Sequence, residues 1–308
     1  MLVVPSSTSS FDGATGFHQR RQNGIALHAP GGPLLRLAVV QTCATRDRAK
    51  SQDEVARLIR QAAADRPGLI ALPENWAWIG PDEEKLDQIE TEDGPSISLL
   101  KDLARSSGAW IMGGTVLMPG PAGDPRAYNT ALVVSPEGEL TARYQKIHLF
   151  DVEVPGGAIL NETKLVAPGQ DVIVAEAGDA RLGLSVCYDL RFSWLYREMA
   201  HRGANLLCVP AAFTVPTGSL HWEILLRARA IETLSYVIAP AQAGRHSPTR
   251  RSWGHSMIVD PYGGIVAQRP EGAGVLIADL DLARVEALRA TMPILEHDRG
   301  PRTWEHAP

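Results

Sequence analysis

Short apolar runs alternate along this chain with segments whose apolar residues recur at helical spacing. Leu35–Val40 and Leu69–Leu72 are two such runs, and their length is typical of buried strands. Between them, Ser51–Glu54 has the pattern of a capping box, and the apolar side chains that follow share one helical face. A second helix is predicted over Ser96–Ser107. The alternation favours an α/β sandwich, in which helices cover sheets.

Further segments of both kinds continue the pattern to the C-terminal region. Two hairpins are predicted, one through the tight turn Pro136–Glu139 and one through Gly178-Asp179. The predicted strands are Trp110–Thr115, Asn129–Val134, Thr141–Lys146, Val172–Ala175, Leu182–Val186 and segments near 206–209, 236–239, 255–260, 265–268 and 274–279. Helices are predicted near 193–202, 220–235 and from about 282.

Three reactive side chains follow predicted strands. Glu74 comes just past an apolar strand, and Lys146 comes at the end of a second predicted strand. Cys187 comes where an apolar run meets what resembles the first turn of a helix. The carboxyl ends of strands form the usual ligand crevice of α/β folds, so the three groups can meet there. A helix N-terminus would also favour the Cys187 thiolate. Taken singly, each residue has a plainer interpretation, as a loop charge, a surface lysine or a small buried side chain.

In the order Glu, Lys, Cys, the motifs around these residues resemble those of the nitrilase, or carbon-nitrogen hydrolase, superfamily. The motifs are Leu72–Glu74, Lys146–Asp151 and Cys187–Phe192, and the resemblance extends from about Leu34 to the C-terminal region. Within the superfamily the chain is most similar to the Nit branch, which contains deaminated glutathione amidases and omega-amidases. The stretches that carry this finer resemblance are Asp151–Gly156, Thr217–Glu232, Gln242–His246 and Trp253–Ser256.

The resemblance implies a four-layer αββα sandwich that forms a homodimer or a larger homo-oligomer. It also implies a thiol amidase with no cofactor and no metal, acting on a small carboxylate-bearing amide, with deaminated glutathione as the expected substrate. The alternatives are an omega-amidase acting on alpha-ketoglutaramate, another amidohydrolase, nitrilase or acyltransferase of the superfamily, or a scaffold without activity. Intact Glu74, Lys146 and Cys187 argue against the scaffold.

The expected reaction assigns a role to each of the three residues. Cys187 would attack the carbonyl carbon to give a thioester, and Glu74 would carry the protons. Lys146, with the backbone N–H of Tyr188, would stabilise the oxyanion. By resemblance, Glu162 would orient Lys146, with Glu153 as the rival for this role.

Several further residues are candidates around this centre. His148 is expected to support the site through hydrogen bonds rather than to act as a base. Arg191 can hold a substrate carboxylate through two hydrogen bonds, or else form a structural ion pair. By resemblance the rest of the pocket includes Phe213, Thr217 and Glu223, and one or both of the aromatic residues Trp76 and Trp78 are candidates to line it.

Composition restricts the partners and the compartment. A net charge of −5 gives no basic surface for nucleic acid, and no stretch is long and apolar enough to predict a membrane span. Cys43, Cys187 and Cys208 are too few for a disulfide framework, which favours a reducing compartment and predicts a cytoplasmic protein. Zinc spacing patterns are absent from the sequence.

The first 33 residues differ in composition from the rest of the chain. Ser, Thr, Gly and Gln dominate there without hydrophobic periodicity, so residues 1–33 are predicted to be a disordered leader. Asp12 and the lack of an amphipathic Arg-rich helix argue against a transit peptide. Residues 34–308 are predicted to form one carbon-nitrogen hydrolase domain.

Overall fold

The computed structural model describes residues 34–153 and 159–300. The predicted leader and the last eight residues of the predicted domain lie outside the described residues, as do residues 154–158. The strands of the described residues are β1 (Leu35–Gln41), β2 (Leu69–Ala71), β3 (Trp110–Pro119), β4 (Ala127–Val134), β5 (Leu140–Gln145), β6 (Asp151–Glu153), β7 (Ile159–Asn161), β8 (Val174–Ala177), β9 (Ala180–Leu184), β10 (Leu206–Cys208), β11 (Tyr236–Ala239), β12 (Ala243–Arg245), β13 (Arg251–Trp253), β14 (Ser256–Val259), β15 (Ile265–Arg269) and β16 (Gly274–Leu280).

Most of these strands form two six-stranded sheets. The first has the order β16-β1-β2-β3-β4-β5, and the second has the order β15-β14-β11-β10-β9-β8. In the first sheet β1, β2 and β3 are parallel, while β4 is antiparallel to both β3 and β5. Strands β2 and β5 therefore run in the same direction and end at the same edge. The hairpins β4-β5 and β8-β9 confirm the two predicted turns.

Helices cover the outer faces of both sheets. They are α1 (Arg48–Ala63), α2 (Pro95–Ser107), α3 (Ser193–His201), α4 (Val215–Thr233), α5 (Ala283–Thr291) and α6 (Ile294–His297). Side chains of α1 and α2 pack with one face of the first sheet in a buried cluster that includes Leu58, Leu100 and Ile111. A larger cluster joins the two sheets to each other and to α3 and α4. These layers confirm the predicted αββα sandwich.

Two predicted helix starts are wrong. Helix α1 begins at Arg48 rather than Ser51, because Asp47 caps it by accepting a 3.1 Å hydrogen bond from the N–H of Lys50. Ser51 lies inside the helix, where its hydroxyl accepts from the N–H of Thr45 at 3.0 Å. Helix α4 begins at Val215, five residues before the predicted start at 220, because Pro216 is compatible with a first helical turn.

The segment after Cys187 also differs from the prediction. Residues Cys187–Arg191 form a 3₁₀ turn, and the α-helix begins only at Ser193. The thiol therefore does not lie at the end of a long helix dipole. Within residues 34–153 and 159–300, no helix is long and apolar enough to cross a membrane.

Candidate active site

Glu74 is held by the loop that follows β2. A bulge in β3 brings Gly114 against this loop, and a Cβ at Gly114 would lie 2.0 Å from the carbonyl oxygen of Pro73. The φ of Gly114 is also positive, at 54°. Next to it, the hydroxyl of Thr115 accepts a 2.9 Å hydrogen bond from the N–H of Asn75. Only glycine permits this close approach, so the bulge fixes the backbone on both sides of Glu74.

Lys146 is the charged centre of a buried cluster. It follows β5 directly, and its side chain is only 2% exposed. Its ammonium lies 3.2 Å from Oε1 of Glu74 and 2.8 Å from Oε2 of Glu162. Burial alone would lower the pKa of Lys146, but the carboxylates of Glu162 and Glu74 outweigh burial and raise it well above its ordinary value. Lys146 is therefore a fixed positive charge at working pH.

Glu162 has the geometry expected of the carboxylate that orients Lys146. Besides its contact with Lys146, it accepts a 2.8 Å hydrogen bond from the N–H of Phe150. Burial would raise the pKa of Glu162, but the nearby ammonium groups of Lys146 and Lys85 lower it to about 2. The rival carboxylate of Glu153 is exposed on β6. Of the two, only Glu162 pairs with Lys146 in the described residues.

Cys187 lies in a strained turn at the end of the second sheet. Its φ of 49° is in the left-handed region, which is uncommon for residues other than glycine and is often found at functional positions. Its N–H donates to the carbonyl oxygen of Pro210 at 2.9 Å, and its thiol interacts electrostatically with Glu74, with Lys146 and with the N–H of Ala212. The residue is only 8% exposed.

The environment of Cys187 favours the thiol, not the thiolate expected from the sequence. Burial and the carboxylate of Glu74 raise the pKa of the thiol well above its ordinary value, although Lys146 and the N–H of Ala212 act in the opposite direction. The expectation was wrong because it relied on a helix dipole that the 3₁₀ turn does not supply. A base is therefore needed to activate Cys187, and Glu74 is beside it.

His148 supports the turn that carries Cys187. Its Nδ1 lies 2.7 Å from Oδ1 of the fully buried Asp189, and its Nε2 accepts from the indole N–H of Trp194 at 3.3 Å. Because an indole N–H can only donate, Nε2 must accept, and the ring proton of His148 is therefore assigned to Nδ1. Asp189 also accepts from the hydroxyl of Tyr144 at 2.7 Å and from the N–H of Val186 at 2.8 Å. This network links the end of β5 to the cysteine turn.

Arg191 lies in the same 3₁₀ turn as Cys187, among aromatic rings. Its guanidinium is 5.7 Å from the ring centre of Tyr188 and 5.8 Å from that of the buried Phe213. It donates to Nδ1 of His221 at 3.1 Å. Among the described residues Arg191 forms no ion pair with a carboxylate. The alternative role, a structural ion pair, therefore has no carboxylate partner there. The ring of Tyr188 also packs against Phe150, with centroids 4.9 Å apart.

Two expected pocket residues on α4 have other partners. The hydroxyl of Thr217 is 2.8 Å from that of Thr214, at the start of the helix. Glu223 is exposed and pairs with Arg227 one turn later at 3.2 Å. The structure therefore does not bring Glu223 to the cluster around Lys146.

The aromatic residues after Glu74 differ in their surroundings. Trp76 is fully buried in the core between the first sheet and its helices. Trp78 instead lines a pocket next to the loop, together with Asn75 and Ala77. Of the two tryptophans, Trp78 is thus the one that lines a pocket.

Three further groups hold Glu74, and the sequence assigned this role to none of them. The side-chain amide of Asn129 on β4 donates to Oε1 of Glu74 at 2.9 Å, and the N–H of Ala212 donates to Oε2 at 3.0 Å. The amide of Gln242 donates to the backbone oxygen of Glu74 at 2.9 Å. The signal for Asn129 was weak, since it is followed by a second polar residue, Thr130, in the same strand. Among the described residues, no group of three or more His, Cys, Asp or Glu side chains is arranged to hold a metal ion.

Comparisons with known proteins found a matching family model and named relatives. The model of the carbon-nitrogen hydrolase family matches residues 36–290. A protein from Synechocystis sp. named deaminated glutathione amidase is 41% identical over 262 residues, which cover 84% of this chain and 96% of that protein.

Two solved structures are similar to this one. The Caenorhabditis elegans NitFhit protein matches with a TM-score of 0.80 and 38% identity, over 87% of this chain and 65% of that chain, so this chain spans about two thirds of its length. A mutant amidase from Nesterenkonia sp. AN1 matches with a TM-score of 0.70 and 28% identity, over 86% of this chain and 97% of that one. In that structure the acetamide moiety of fluoroacetamide is covalently added at the active-site cysteine.

Proposed function

This chain belongs to the carbon-nitrogen hydrolase family, and we propose that it is a thiol amidase that hydrolyses deaminated glutathione, with Cys187 as nucleophile. The observation that carries the proposal is the buried contact of Lys146 with Glu74 and Glu162, beside the thiol of Cys187. The name of the Synechocystis relative supports the substrate. The adduct at the cysteine of the Nesterenkonia amidase supports covalent catalysis.

In the first half of the reaction, the thiol of Cys187 attacks the amide carbonyl carbon. The thiol proton passes to the Glu74 carboxylate as the S–C bond forms, which overcomes the raised pKa of Cys187. Glu74 then gives this proton to the departing nitrogen as the C–N bond breaks. For deaminated glutathione the leaving amine is cysteinylglycine, and the acyl group stays on Cys187 as a thioester.

In the second half, water cleaves the thioester. Glu74 takes a proton from the water as its oxygen attacks the thioester carbon, and returns that proton to the sulfur as the S–C bond breaks. The acid product is 2-oxoglutarate, and the free thiol is restored. Water is the only co-reactant that the two steps need.

Both tetrahedral intermediates carry a negative oxygen that must be stabilised. The ammonium of Lys146 is the permanent charge for this role, together with the N–H of Tyr188. Glu162 and Glu74 keep the ammonium in place. Loss of a single oxyanion donor typically costs about 10²–10³ in rate, so the position of Lys146 is important to the reaction.

The acyl part of the substrate needs a cation for its alpha-keto carboxylate. Arg191 follows Cys187 in the same turn and has no carboxylate partner among the described residues, which supports this role. A guanidinium can hold a carboxylate through two parallel hydrogen bonds. The ring of Phe213 lies under the guanidinium, and Thr217 at the start of α4 would complete this side of the pocket.

The test is the release of cysteinylglycine from deaminated glutathione, compared with ammonia release from alpha-ketoglutaramate and from a simple nitrile. We expect the highest kcat/KM with deaminated glutathione. Cys187→Ala should lower kcat by at least about 10³-fold, because the nucleophile is lost. Cys208→Ala is the matched control, since Cys208 is also a buried free thiol at the end of a strand.

Three results would contradict the proposal. Activity above a few per cent in Cys187→Ala would exclude the thioester. A higher kcat/KM with alpha-ketoglutaramate would make the protein an omega-amidase. Turnover of the nitrile alone would place it among the nitrilases.

We also infer a homodimer in the cytoplasm. Helix α4 exposes an apolar stripe formed by Leu220, Ile224 and Ile231, of which Ile224 is 70% exposed. A second copy of the chain would cover this stripe, which supports the dimer. Free thiols at all three cysteines support a reducing compartment.

A further inference from the structure

A small pocket of about 30 Å³ lies beside the loop that carries Glu74. Asn75, Ala77 and Trp78 from this loop line one side of it. Basic residues from two other parts of the chain, Lys85 and Arg250, also line it. The space is that of one or two water-sized groups, which suits a single small polar group such as a carboxylate rather than a whole ligand.

The lining of the pocket contains three cationic side chains and one carboxylate, that of Glu90. Besides Lys85 and Arg250 its lining includes Arg48, which is paired with Glu90. Glu90 also accepts hydrogen bonds from Ser96. Its carboxylate is therefore paired with Arg48 and Ser96 and does not neutralise Lys85 or Arg250. Within residues 34–153 and 159–300, neither Lys85 nor Arg250 has a carboxylate at ion-pairing distance. Two cations are thus left to face a ligand.

The same two cations destabilise each other. Burial is the main reason why the pKa of Lys85 is lowered, and the charge of Arg250 lowers it further. The carboxylate of Glu162 acts in the opposite direction but is already paired with Lys146. A partly desolvated cation pair of this kind gains most from an anion that binds between its members.

The position of the pocket indicates which part of the substrate it would hold. Glu74 gives its proton to the leaving nitrogen in the proposed reaction, so the leaving amine must lie on the side of Glu74. Asn75, Ala77 and Trp78 follow Glu74 directly and line the pocket. Arg191, in contrast, belongs to the turn of Cys187, to which the acyl group becomes attached.

We propose that Lys85 and Arg250 form an anion subsite that binds the carboxylate of the leaving amine. The inference rests on the proposed amidase function and adds to it a preference for amides whose amine part carries a carboxylate. Cysteinylglycine, the amine part of deaminated glutathione, has its carboxylate at the glycine end. The subsite thereby separates this substrate from alpha-ketoglutaramate, whose leaving group is ammonia.

The experiment compares three substrates that share the same acyl group. They are deaminated glutathione, its form with the glycine carboxylate converted to a neutral amide, and alpha-ketoglutaramate. For Lys85→Gln and for Arg250→Gln we expect kcat/KM with deaminated glutathione to fall roughly 10- to 100-fold, mainly through KM, because a charge-assisted hydrogen bond is lost. With alpha-ketoglutaramate both variants should remain within about twofold of the wild type.

The neutral form of the substrate provides the decisive comparison. In the wild type, kcat/KM should drop by at least a similar factor when the glycine carboxylate is neutralised, and in the double variant Lys85→Gln/Arg250→Gln this change should have little further effect. Lys101→Gln on the exposed side of α2 is the matched control and should leave all three values unchanged. Having two separate variants keeps the test valid if one of them does not fold.

Two results would contradict the proposed subsite, and a third would contradict the proposed amidase function on which it rests. Equal losses with deaminated glutathione and alpha-ketoglutaramate would assign Lys85 and Arg250 to the acyl side or to structure. A wild-type enzyme indifferent to the glycine carboxylate would exclude the subsite altogether. If the wild type hydrolyses none of the three substrates, the proposed function fails and the subsite with it.

Discussion

At the scale of single residues, Glu162 and Glu74 both raise the pKa of Lys146, but of these two carboxylates Glu74 is the one that also raises the pKa of Cys187. Glu162 pairs with Lys146, and its own pKa falls to about 2 despite burial. Glu74 contacts both Lys146 and Cys187, and its charge helps to raise the pKa of the thiol. Burial and this charge therefore favour the thiol form of Cys187, and in the proposed reaction the thiol proton is the one that reaches the leaving amine.

Removal of the Glu74 charge should lower the pKa of Cys187. In Glu74→Gln the shape is kept but the negative neighbour is lost, while Lys146 still favours the thiolate. Thiolate absorbance in the ultraviolet should therefore appear at lower pH than in the wild type, although kcat falls because the base is gone. The double variant Glu74→Gln/Cys187→Ala supplies the background from Cys43 and Cys208. An unchanged or higher thiol pKa would contradict the assigned electrostatics.

At the scale of secondary-structure elements, α4 supports the cysteine turn from beneath. Arg229 on its inner face is buried, and its guanidinium donates to the carbonyl oxygen of Leu190 at 3.0 and 2.8 Å. It also pairs with Glu232 at 2.9 Å. Leu190 lies in the 3₁₀ turn that begins at Cys187, so the helix holds this turn through Arg229.

Loss of Arg229 should therefore be costly. We expect Arg229→Met to lower the free energy of unfolding by about 2–4 kcal/mol, because a buried carbonyl and Glu232 lose their partner. Urea denaturation measures this change, and kcat should fall with it. Arg105→Met is a matched control: Arg105 also bonds one backbone carbonyl and one carboxylate three residues away, but it is exposed, and its loss should cost at most about 0.5 kcal/mol. Equal losses in both variants would contradict the role of Arg229.

At the scale of the whole molecule, the two sheets bring the strand ends together. Glu74 and Lys146 follow strands of the first sheet, and Cys187 follows a strand of the second. Face-to-face packing of the sheets thus assembles a site that neither sheet contains alone. The outer face of α4 remains apolar and exposed at Leu220, Ile224 and Ile231.

A charge in this stripe should prevent dimerisation. We expect the wild type to sediment as a dimer and Ile224→Glu to sediment as a monomer at the same concentration, because a carboxylate would be buried without a partner. Ser219→Glu adds the same charge to the same helix at an exposed position about 100° away from Leu220, and should remain dimeric. A monomeric wild type, or a dimeric Ile224→Glu, would contradict the inferred interface.

Local patterns in the sequence predicted much of this organisation. Strand and helix periodicity located nearly all the elements of the two sheets and their covering helices, because periodicity depends only on which side of an element is buried. Strand-end positions also indicated that Glu74, Lys146 and Cys187 lie at one edge. Element starts such as that of α1 were missed, because the choice between Asp47 and Ser51 as a cap depends on hydrogen bonds to neighbouring turns.

Only the tertiary structure decided the partners and the protonation of the site. Asn129 and the N–H of Ala212 reach Glu74 from distant parts of the chain, and Lys85 and Arg250 meet in one pocket although 165 positions apart in the sequence. The sequence by itself determined which reactive groups are present and on which strand ends they lie. Whether Cys187 is a thiol or a thiolate depends on burial and on neighbouring charges, and both exist only once the sheets have packed.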